Sequence, residues 1–76
     1  MTLAQLGPGR ICTVVSVRGT GPSSVRLAEM GFVRGTEVSC VRAAPWGDPV
    51  EFVLRGYRLA LRRSLAELVI VREEQP

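Results

Sequence analysis

Between Val50 and Arg62 the chain alternates apolar and polar positions through two short runs. Val50, Phe52 and Leu54 form the first series, with Glu51, Val53 and Arg55 between them; Tyr57, Leu59 and Leu61 form the second, with Arg58, Ala60 and Arg62 between them. A period of two is that of a strand with one dry face, and other elements must cover that face. In 76 residues there is room for a single core, because a chain this short buries only about 60% of the surface it exposes when unfolded. Whatever the first half forms must therefore pack against these two runs.

The first half offers strands of similar length. "RICTVVSVR" (10–18) is rich in β-branched residues and reads as a strand, with a bulge near Val14 and Val15 where alternation breaks. "TEVSCVRA" puts Val38 and Cys40 on one face and Glu37 and Ser39 on the other. Thr2 and Gln5 stand at capping-box spacing in "TLAQL", so Leu3 and Leu6 close one helical turn onto the core. Ser23 or Ser24 is expected to cap a short helix that carries Leu27 and Met30 on one face and stops at Gly31. Ser64 and Glu67 repeat the capping-box pattern in "SLAEL", ahead of a last strand at "VIV". The tally is all-β with short helices: about five strands, which at this length implies a small closed barrel of the SH3 or OB kind without a long exposed edge. Residues 1–76 read as one domain, with an acidic tail from about residue 72.

Residue types exclude much chemistry. There is no histidine, and the two cysteines, Cys12 and Cys40, fall inside expected strands. The commonest general base and metal ligand are thus missing, and two thiols do not complete a tetrahedral zinc set. Both cysteines are expected as small buried hydrophobes, with no metal or cofactor held within one chain; an intermolecular site sharing thiolates or carboxylates stays open. All ten basic residues are arginine, which rules out a P-loop lysine. "VRGTGPSS" imitates the start of a dinucleotide fingerprint but lacks its third glycine and the room for a βαβ unit. Glu29, Glu37, Asp48 and Glu51 are scattered over separate elements, so no enzyme is expected.

No apolar run approaches the roughly 18 residues of a membrane span, and the first ten residues lack the character of a secretory leader, so a soluble cytoplasmic chain is expected. Residues 1–63 carry nine arginines against four carboxylates, a balance of +5, while residues 64–76 stand at −2. A basic body suggests nucleic acid or an acidic protein surface as partner. Only four aromatic residues are present and they are not interleaved with arginines, so stable binding to nucleic acid is not expected.

Two longer stretches carry a resemblance. "RLAEMGFVRGTEV" (26–38) resembles the helix, Met-Gly break and G-T-x-V strand start of the FeoA family, and "APWGDPVEFVLRGYRLALRR" (44–63) is similar to that family's A-P-x-G-D-P segment followed by R-G-Y-x-L-x-L-R. The resemblance runs from Thr2 to about Val71. It implies an SH3-like barrel that acts by binding, at the cytosolic side of the ferrous iron transporter FeoB and peripheral to the membrane only through that partner. Two alternatives stand beside it: a small basic β-barrel that binds nucleic acid, and, from a similar domain in iron-dependent repressors, a regulatory SH3-like module. Leu27, Met30, Gly31 and Gly35 match the first signature. Pro45, Gly47, Pro49, Gly56, Leu59 and Leu61 match the second as framework, together with Asp48, Tyr57 and Arg62.

Six residues are candidates for partner contact: Trp46, Asp48, Arg55, Tyr57, Arg58 and Arg62. The prolines around Trp46 make a stiff loop in which Asp48 accepts hydrogen bonds from nearby amides. Trp46, where the family more often has an aliphatic residue, is either a lid over one end of the barrel or an exposed anchor. Tyr57 either seals the barrel or presents its hydroxyl. The three arginines either meet an acidic surface or are merely solvated. Weak self-association is a further alternative.

Overall fold

The two alternating runs pair as β3 (Val50–Leu54) and β4 (Tyr57–Leu61), antiparallel, with Val50 opposite Leu61 and Leu54 opposite Tyr57. Arg55 and Gly56 form the whole connection, at φ of 50° and 79°. Left-handed backbone at both central positions gives the primed turn whose twist matches that of the paired strands. This computed structural model describes residues 1–74. Before the hairpin come a 3₁₀ turn (Leu3–Gln5), β1 (Ile11–Val17), α1 (Pro22–Glu29) and β2 (Glu37–Ala43); after it come α2 (Arg63–Ala66) and β5 (Val69–Glu73). The strands form one antiparallel sheet in the order β4-β3-β2-β1-β5. The β1–β5 register shifts between Val14 and Ser16, which puts the expected bulge at Val15.

Inward side chains from all five strands meet in one cluster with Leu3, Leu6, Leu27, Phe32 and Ala66. A flat sheet could not bring the dry faces of both edge strands together, so the sheet curves around its own core in the SH3-like manner. β4 and β5 share no ladder, which corrects the expectation of full closure. The β5 edge is instead covered by the N-terminus: Thr2 bridges Ile70, and the Val71 N–H donates to the Met1 carbonyl at 2.9 Å. The acidic end expected from residue 72 begins within this strand, where Arg72 and Glu73 lie opposite Thr13 and Cys12; residues 75 and 76 lie outside the described residues.

Local stops and starts are partly as expected. At the first turn the Gln5 side-chain oxygen accepts from the Thr2 N–H at 2.8 Å. α1 is capped by Gly21 with Pro22 as its first residue, and not by Ser23 or Ser24; the Ser24 hydroxyl donates to the Arg18 carbonyl and braces the loop before the helix. α1 ends as a Schellman motif: the Phe32 N–H donates to Leu27 O and the Gly31 N–H to Ala28 O, both at 3.0 Å, with Gly31 at φ 109°. Leu27 and Phe32, the two ends of that motif, are fully buried, each gaining about 1.5–3 kcal/mol from leaving water.

A candidate interaction surface

The β2–β3 loop carries the most exposed large hydrophobic side chain among the described residues. Trp46 is 95% exposed. Within the loop the Gly47 N–H donates to Ala44 O at 2.7 Å and the Ala44 N–H to Pro49 O at 2.9 Å. What holds the loop to the body lies far away in sequence. The Arg63 guanidinium donates through Nε to Gly47 O at 2.6 Å and through an Nη to Ala4 O at 2.8 Å, joining the loop to the first turn. The Asp48 carboxylate accepts from the Arg63 backbone N–H at 3.0 Å, so it caps the start of α2 instead of bonding amides of its own loop. The Ser64–Glu67 capping box is accordingly not formed; Arg62 is the N-cap residue and its side chain makes no cap. Of the two readings of Trp46, the lid is excluded: the indole stands on a braced support, in solvent.

Next to this loop two arginines share one carboxylate, and a third arginine lies at the end of β4. Glu51 takes Arg42 at 3.0 Å and Arg58 at 3.7 Å, while the two guanidinium side chains remain 73% and 57% exposed. Arg62 follows β4 on the exposed side and makes no ion pair among the described residues. A shallow recess beside the tryptophan is lined by Arg42, Ala43, Ala44, Pro45, Pro49 and Ala60 together with Glu51.

Arg55 and Tyr57 belong to a different place, at the hairpin turn. Four residue steps along β4 separate Tyr57 from Leu61, about 13 Å of strand. The Arg55 side chain folds back against Gly31 and approaches the Thr36 hydroxyl at 3.4 Å. Tyr57, expected to face inward, is 42% exposed and donates its hydroxyl to the Met30 carbonyl at the end of α1. Alternation along β4 does bury Leu61 and half-bury Leu59, and Met30 at the end of α1 is half-buried, but the core runs out beneath the start of this edge strand. The six candidate residues thus divide into Trp46, Asp48 and Arg58 around the β2–β3 loop, a separate Arg55–Tyr57 corner, and Arg62, which follows β4 next to the Asp48 cap but lines a recess with Ser23, Arg26, Met30 and Leu65. Arg42, Glu51 and Arg63 were not picked out from the sequence. Their partners are contributed by other elements, and no spacing along the chain signals them.

Cys12 and Cys40 are buried free thiols. Burial, reinforced by Glu74 and Glu73, pushes the Cys12 thiol up to about 12, and burial also raises that of Cys40 against a lowering effect of Arg63. Glu37 lies above the ordinary carboxyl value, first because of a side-chain hydrogen bond with Glu74 and then because of that group's charge. Among the described residues no group of three or more histidine, cysteine, aspartate or glutamate side chains converges to hold a metal ion. No helix among them is long and apolar enough to cross a membrane.

A family model described as the FeoA domain matches residues 1–73. The chain is 38% identical over 71 residues to an Fe(2+) transport protein A/Fe(2+) transporter FeoB fusion protein of Porphyromonas gingivalis, covering 93% of this chain and 8% of that protein's length. The crystal structure of Stenotrophomonas maltophilia FeoA complexed with zinc, described there as a procaryotic SH3 domain protein, superposes with a TM-score of 0.85 at 37% identity, over 95% of this chain and 89% of that one. The solution structure of a FeoA-like protein from Clostridium acetobutylicum superposes with a TM-score of 0.94 at 32% identity, over 100% and 88% of the two chains.

Proposed function

The chain belongs to the FeoA domain family, and from that premise we propose that it is a non-enzymatic accessory protein of ferrous iron uptake. It binds the cytosolic part of a FeoB transporter and modulates transport, working as one module over residues 1–76 at the cytosolic face of the membrane. The observation that carries this reading is the relative in which a FeoA module and a FeoB transporter are a single polypeptide. A covalent link holds two units at high effective concentration, which is useful when the units engage each other. The contact face is built from Trp46, Arg58 and Arg62, with Arg42 beside them and Asp48 and Arg63 as its support. An exposed indole on a braced loop, with arginines on the adjoining strand ends, has the composition of an interface anchor. The Arg55–Tyr57 corner is a separate face and a weaker candidate, since both side chains are engaged by α1 and the segment after it. Nucleic acid is not favoured as partner. Phe32 and Phe52 are in the core, and Trp46 alone cannot form a stacking platform.

The test is a titration of the isotopically labelled protein with the isolated cytosolic domain of the same organism's FeoB, at moderate salt. Amide shifts clustered on residues 44–48 and 58–63 are expected. An unperturbed spectrum at high partner concentration refutes binding to that domain.

A further inference from the structure

The end of the molecule that carries Trp46 combines an apolar tip with more guanidinium groups than carboxylates. Trp46, Pro45 and Pro49 are exposed at the tip, and Ala43 and Ala44 are half-buried beside it. Glu51 is held between Arg42 and Arg58, and Asp48 accepts the Arg63 N–H. Arg62, one residue from that cap, has no ion-pair partner among the described residues. Five further acids complete the set: Glu29 ends α1, Glu67 follows α2 one turn from Arg63 and is exposed, and three lie elsewhere. Glu37 is at the far end of β2, six residues and about 20 Å of strand from Ala43. Glu73 pairs with Arg10, and Glu74 accepts from the Thr13 hydroxyl.

We propose that this tip docks directly on an anionic lipid surface, with the Trp46 indole at headgroup level and Arg42, Arg58 and Arg62 on lipid phosphates. An indole suits that depth because its ring is apolar and its N–H is polar. Guanidinium groups donate to phosphate oxygens as forks, and every cation of the chain is an arginine. The Trp46 loop is braced by Arg63 and the indole already stands in solvent, so insertion needs no refolding. One apolar side chain with a basic rim gives weak, reversible adsorption, which concentrates the module at the membrane and releases the same face to a partner there. Because the lipid and transporter contacts use the same side chains they exclude each other at any moment, and each is tested in the absence of the other, so either can fail alone.

Trp46 is the sole tryptophan and reports on its own surroundings. The intact chain is mixed with vesicles of phosphatidylglycerol and phosphatidylcholine, or of phosphatidylcholine alone. With the anionic vesicles its emission is expected to move to shorter wavelength and the protein to co-sediment; neither happens with the neutral ones. Binding falls roughly tenfold in Trp46→Ala and about fivefold in Arg62→Ala, and disappears near 1 M salt, where screening extends only about 3 Å. Both substitutions are at exposed positions and leave the core intact. Absence of co-sedimentation with anionic vesicles at low salt overturns the proposal. So does co-sedimentation with an unchanged emission spectrum, and so does an emission shift caused only by the transporter's isolated cytosolic domain.

Discussion

Replacing Arg63 by alanine should destabilise the fold and loosen the Trp46 loop, although Arg63 is an exposed residue on a four-residue helix. Its side chain makes two hydrogen bonds, to Gly47 O at 2.6 Å and to Ala4 O at 2.8 Å, which join three segments distant in sequence. Both carbonyls reach water once the side chain is gone, so the cost is the net value of two bonds from a charged donor without a buried-orphan penalty. That amounts to about 1–3 kcal/mol. In a domain of this size each 1 kcal/mol lowers the melting temperature by roughly 4–8 °C. Arg63→Lys should recover at most half, because one ammonium on a flexible stem cannot serve two acceptors on separate segments in the guanidinium's geometry. Urea unfolding followed by far-ultraviolet circular dichroism is the assay; Trp46 emission is a poor probe, since the indole is in water in both states. Amide exchange should speed up at Gly47 and Ala44, the two donors inside the loop. The reasoning is refuted if Arg63→Ala lies within about 0.5 kcal/mol of the parent, the range of an ordinary surface substitution, with unchanged exchange at those amides.

Gly31→Ala should cost about 1–2 kcal/mol in urea unfolding, because the new Cβ meets Leu54 and Arg55 side chains at 3.3 Å on backbone at φ 109°; an unchanged midpoint would contradict the Schellman assignment. Tyr57→Phe removes only the hydroxyl bonded to the Met30 carbonyl, so a loss of about 0.5–1.5 kcal/mol is expected, with amide shift changes near residues 28–31. Cys12 should resist a disulfide reagent at pH 8 until denaturant is added. Its thiol holds the proton more tightly when folded than when unfolded, so its contribution to stability is present below pH 9 and is lost progressively as pH rises from about 9.0 to about 12. Fast labelling of the native protein would contradict that burial.

Much of the architecture follows from patterns a few residues long. Alternation in residues 50–62, the β-branched run at 11–17 and the left-handed Gly31 are local signals, and the backbone obeys them because each depends on neighbours within one strand or one helical turn. Five strand lengths and one core's worth of apolar residues then leave few arrangements besides a curved sheet. Even the bulge at Val15 is visible as a break in period. Tertiary structure decided what these patterns do not encode. Asp48 looks like a turn residue serving its own loop, yet its acceptor role is to α2, and Arg63 looks like a solvated charge, yet it clamps that loop to the first turn. Tyr57 keeps the parity of an inward residue but lies where the edge strand outruns the core. Periodicity reports which side of an element is dry. Hydrogen-bond partners and the boundary of the core depend on which distant segments arrive, and only the folded chain brings them together.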